Sequence, residues 1–147
     1  MDLPPYAYVP GRTPRHPEGL FDAVRDSVQG VPVERLDQTR AWRTGLRWIE
    51  AGYYWEAHEV LEPVWMAAPP NAPERHLAQA AIQCANARLK RLMGRPRAAE
   101  RLDRMVRAHL DEAALSGRAR VMGLTPEEAR IRFRDATDDH PNVQYTA

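Results

Sequence analysis

His58, Glu59 and Glu62 are the residues whose types and spacing in this chain could do chemistry. They sit inside Trp55-Glu-Ala-His-Glu-Val-Leu-Glu-Pro-Val-Trp65. On a helix, at ~100° per residue, Trp55, His58, Glu62 and Trp65 share one face, with Glu59 and Met66 beside them. The same projection sends Glu56 and Pro63 elsewhere, toward solvent. Large aromatics usually mark the buried side of a helix, so an ionisable stripe bounded by two tryptophans is unusual. A buried carboxylate without partners costs several kcal/mol, which a donor, a proton or a cation must offset. Pro63 removes one intrahelical hydrogen bond, which predicts a kink or a freed Glu59 carbonyl next to the stripe.

Three chemistries fit these residues. His58 and Glu62, one turn apart, could chelate a divalent metal, with Glu59 as a further ligand or a base. Compared with His-Glu-x-x-His, Glu62 takes the place of the second histidine. No third ligand is evident; His76 and His109 are available, but nothing in their spacing selects either. The second chemistry is a polar layer that satisfies itself and fixes helix register. The third is a pocket walled by Tyr54, Trp55 and Trp65, with His58, Glu59, Glu62, Gln79 and Gln83 converging inside. An acidic floor there favours a cationic or hydroxyl-rich ligand. Gln79, Gln83 and Asn86 share one face of the next predicted helix and could meet the stripe if the two helices pack antiparallel. Cys84 has no activating base in view and reads as an inert thiol.

Positioning this stripe falls to helices. Five prolines between Pro4 and Pro17 make residues 1–19 an extended arm that lies across the surface or reaches a neighbouring subunit. Helices are predicted over about 20–29, 34–51, 53–66, 74–93, 97–115 and 125–135. Gly52 is a natural C-cap, and Thr125-Pro-Glu-Glu is a strong helix start. No segment alternates over strand length. The expected fold is all-α: a compact bundle of about five to six mostly antiparallel helices over 20–136, with a weakly ordered tail over 137–147.

Composition narrows the classes. A chain of 147 residues fits one domain with a real core. The single cysteine excludes an internal disulfide framework and suggests a reducing compartment. No stretch approaches the ~20 apolar residues of a membrane span, and the N-terminus lacks the regions of a signal peptide; the expectation is a cytoplasmic protein. The net charge of +1 offers no global argument for nucleic acid. The cluster of arginines between Arg88 and Arg107 reads as a solvated helix face.

The segment Tyr54 to Glu62 with Trp65, the Gly52-Tyr53 lead-in, the Gln79 and Gln83 helix, and the turn from Gly94 to Leu102 resemble the domain-of-unknown-function-309 family. The likeness runs from about Leu46 to Leu110, and Ala80 stands where that family's pattern has a glycine. The resemblance implies a compact all-α fold of a few antiparallel helices and carries no established activity. The expected function is a small-molecule or partner-binding module centred on His58, Glu59 and Glu62. A metal-dependent hydrolase using the same cluster is the alternative. Tyr6 and Tyr8 on the arm suggest a homodimer.

Overall fold

The computed structural model describes residues 3–136. Among the described residues six α-helices follow in order: α1 (Asp22–Arg25), α2 (Arg40–Ala51), α3 (Tyr54–Ala67), α4 (Pro73–Leu92), α5 (Pro96–Ala114) and α6 (Pro126–Arg132). Two 3-10 turns, Asp26–Val28 and Val33–Gln38, precede α2. Among the described residues there is no strand, only an isolated bridge between Val121 and Leu124. The chain is an all-α bundle. The 137–147 tail lies outside the described residues.

Two predicted helices come out shorter and broken. The helix expected over 34–51 divides at Thr39, whose backbone is extended (φ −69°, ψ 151°). Its hydroxyl donates to the Leu36 carbonyl at 2.6 Å and accepts the Trp42 N–H at 3.2 Å. One threonine thus closes the 3-10 turn and caps α2, an arrangement that a continuous helix forbids. The helix expected over 20–29 is likewise one α-helical turn followed by a 3-10 turn.

The α2–α3 turn follows from glycine chemistry. Gly52 takes φ +90° at the end of α2, and the Tyr53 N–H then reaches back to the Trp48 carbonyl at 2.9 Å. The chain reverses within two residues. α2 then lies so close to α3 that a Cβ on Gly45 would fall 2.3 Å from Leu61 Cδ2. Leu61 is fully buried and has nowhere to go.

α4 packs against both neighbours through small residues; Ala78, Ala80, Ala81, Ala85 and Ala87 are all buried. Two cross-links register it antiparallel to α5: an Arg91–Asp103 ion pair near the turn and a His76–His109 contact toward the far end. The arginine cluster is therefore not uniformly solvated. Arg88 is buried and donates to the Arg132 and Arg134 carbonyls at 3.2 and 3.1 Å, capping the end of α6, while Arg91 is held by Asp103. Arg95, Arg97, Arg101, Arg104 and Arg107 do face solvent. At its start, α6 carries the capping box read in the sequence, formed by Thr125 and Glu128.

Ala7 and Val9, each 1% exposed, put the arm into the same core as α2, α3 and α4. No helix among the described residues is long and apolar enough to cross a membrane.

Candidate functional site

The carboxylate that the helical projection sent to solvent is the most deeply buried one in α3. Glu56 has no exposed surface. Its Oε2 accepts the Tyr8 N–H at 2.6 Å and lies 2.6 Å from His16 Nε2. His16 in turn is enclosed by rings: Tyr6 stacks on it at 4.6 Å, and Phe21 and Trp55 lie at 5.4 and 6.2 Å. Burial pushes the Glu56 carboxyl above its ordinary range, and the Tyr8 and His16 contacts pull it part of the way back. Among the described residues, Glu56 Oε1 and His16 Nδ1 are buried without hydrogen-bond partners. The projection failed because it knows only its own helix. The arm returns across that face as an extra layer, and neither Glu56 nor His16 announces the other by spacing.

The expected stripe is partly open. His58, Glu59 and Glu62 side chains are 29%, 30% and 39% exposed, so their ion pairs are screened by water and each stabilises little. His58 Nε2 stands 3.7 Å from Glu62 Oε2. Arg25, at the end of α1, supplies the missing cation: its guanidinium lies 3.5 Å from Glu59 Oε2 and 3.5 Å from Glu62 Oε1. The same guanidinium donates to the Glu59 carbonyl. That carbonyl is the one Pro63 deprives of its helical donor, and α3 continues through the proline. Arg25 thus answers two local deficits at once, an unpaired backbone acceptor and two adjacent carboxylates.

The remaining predicted site residues are distributed rather than convergent. Tyr54 is buried in the core. Trp55 and Glu59 line an open cleft of about 670 Å³ between α3 and residues 15–22, together with His16, Phe21, Asp22 and Arg25. Trp65 and Gln79 line a second cavity, about 290 Å³, beside His76 and His109 at the α4–α5 face. Gln83 accepts from Asn86 at 3.2 Å. Among the described residues no hydrogen bond joins Gln79 or Gln83 to His58, Glu59 or Glu62, and no three histidine, cysteine or acidic side chains are gathered as a metal group. Cys84 is buried, and burial pushes its thiol up to about 11, so it is protonated at neutral pH and a poor nucleophile.

An α-helical bundle that carries a polar stripe on its third helix, with an arm laid against that helix, is the class of protein defined here. The model of the family described as "Domain of unknown function (DUF309)" matches residues 42–102, from the first turn of α2 into α5. No curated protein matches the chain, and no solved structure does. His16, Arg25 and His109 all lie outside the matched segment, so each cavity combines residues from inside it with residues from outside.

Proposed function

We propose that the chain is a small-molecule-binding module whose ligand occupies the cleft between the arm and α3. The observation that carries this reading is the lining: Trp55 and Glu59 face a space of about 670 Å³ shared with the arm. That volume lies within the ~300–1,000 Å³ of ordinary ligand sites. Trp55 and Phe21 offer apolar walls, and Glu18, Asp22, Glu59, Arg15 and Arg25 supply the charged part of the lining. Arg25 is already engaged by Glu59 and Glu62, so the remaining charges of the lining are Glu18 and Asp22 against Arg15. A cationic or hydroxyl-rich molecule with one flat or apolar side suits this lining.

A second copy of the chain is a weaker occupant. Tyr6 and Tyr8, the arm residues that would reach a partner, pack within their own chain, Tyr6 stacked on His16 and Tyr8 edge-on to Trp55. A metal-dependent hydrolase at His58 and Glu62 has less support: Arg25 already lies 3.5 Å from Glu62 Oε1, and no third histidine, cysteine or acidic ligand is gathered beside the pair among the described residues.

Spermidine as a cationic probe and ribose as a hydroxyl-rich one test the reading, with citrate as the anionic comparison. Thermal melting and tryptophan fluorescence of the wild type should respond to spermidine or ribose and not to citrate. The response should vanish in Trp55→Ala. Equal responses in wild type and Trp55→Ala, or none to either probe, would end the proposal.

A further inference from the structure

The second cavity carries an independent site. His76, in the first turn of α4, and His109, toward the end of α5, bring their Nδ1 atoms to 3.0 Å with ring centroids 5.3 Å apart. One Nδ1 must donate to the other, so a single proton lies between two imidazoles. Neutral imidazole is the commonest protein ligand for transition metals, at roughly 2.0–2.1 Å. Two nitrogens at that length on one ion, with a bond angle between a right angle and the tetrahedral value, stand about 2.9–3.4 Å apart. The observed 3.0 Å falls within that range, so a two-histidine chelate could form with little movement of either ring.

The surroundings suit a cation better than the presence of an arginine suggests. Arg75 is stacked over Trp65 at 4.4 Å and donates to the Ala68 carbonyl at 3.2 Å, which ties its charge to the wall. The charged or titratable groups that act on His109 are His76 and Glu112. Gln79, one turn beyond His76, lines the same cavity and can offer an amide oxygen. The open volume of about 290 Å³ has room for water to complete the shell. The bite is set by α4–α5 packing, which the Arg91–Asp103 pair also fixes, so the two rings come already positioned.

We propose that His76 and His109 form a binding site for a divalent transition-metal ion, with solvent-accessible coordination positions on the side of Gln79. When both rings are neutral, the donor ring can move its proton from Nδ1 to Nε2, which frees both Nδ1 atoms for the ion. Imidazole pairs bind Cu²⁺ more tightly than Ni²⁺ or Zn²⁺. This site does not depend on the cleft reading above.

The experiment is calorimetric titration of tag-free full-length protein with Cu²⁺ and then with Zn²⁺ at pH 7.5. Wild type should bind one equivalent, Cu²⁺ more tightly than Zn²⁺. His76→Ala and His109→Ala should each weaken Cu²⁺ at least tenfold, with His58→Ala unchanged. If either variant misfolds, imidazole NMR of the wild type with Zn²⁺ decides: His76 and His109 should shift together. Unchanged affinity in both alanine variants, an equal loss in His58→Ala, or Zn²⁺ shifts confined to other histidines would overturn the proposal.

Discussion

Glu56 and Glu62 lie on the same helix, six residues apart, yet they inhabit opposite environments. Glu56 is sealed beneath the arm with a backbone N–H and an imidazole on one oxygen. Glu62 is more than a third exposed and shares Arg25 with Glu59. Water has been exchanged for two short contacts in the first case and kept in the second. Chemical identity therefore says little about what either carboxylate contributes. The layer that covers the helix decides it, because an uncompensated charge is costly only where water is excluded.

Removing the buried member should have the largest effect. Glu56→Ala strands the Tyr8 N–H and His16 in the interior, and urea unfolding should show a loss of about 3 kcal/mol. The arm should loosen as well, seen as faster tryptic cleavage after the exposed Arg12 and Arg15. The titration has a definite sign. The folded carboxyl sits above its usual value of 4.5, so the native state holds the proton more firmly than the unfolded chain. The stability this contributes is full below pH 4.5 and is lost as pH rises through the raised value. Relative to Glu56→Gln, the wild type should lose stability as pH rises above 4.5. A flat difference across that range would show that the His16 contact cancels the burial.

A smaller loss is expected from Arg25→Ala, about 1–2 kcal/mol, because the Glu59 carbonyl then has neither a helical nor a side-chain donor. Arg25→Lys should recover little of this, since one ammonium cannot serve the carbonyl and both carboxylates with the same fork. The smallest effect belongs to Glu62→Gln, within about 0.5 kcal/mol by the same melts, as expected for a half-open ion pair. If Glu62→Gln matched Glu56→Ala, the contrast between the two carboxylates would fail.

Much of the frame was legible because it rests on local rules. Gly52 as the α2 cap, the Thr125–Glu128 box and the helix boundaries near 73–92 and 96–114 all follow from capping chemistry and apolar spacing. Thr39 was the missed local signal: a threonine three residues before Trp42 is a cap, and the apolar pattern on both sides hid it. The site was legible only in part. Trp55, His58, Glu59, Glu62 and Trp65 belong to one helix, and their relative angles could be counted. Arg25 as the partner of Pro63's orphaned carbonyl could not be found that way, since the chain separates the two by 34 residues. Gln79 and Gln83 are correctly spaced for a shared face, but they make their contacts away from the stripe.

The sequence alone determined that this chain is helical, where most helices start and stop, and which helix carries the polar stripe. Each of those outcomes is set by dihedral preferences, capping hydrogen bonds and apolar periodicity within a few residues. Tertiary structure decided what those residues do. The arm came back over Glu56, α1 delivered Arg25 to Glu59, and α5 placed His109 against His76. Polar groups 33 to 48 residues apart meet because helices bury their apolar faces together, and each then takes the partner that packing brings within reach.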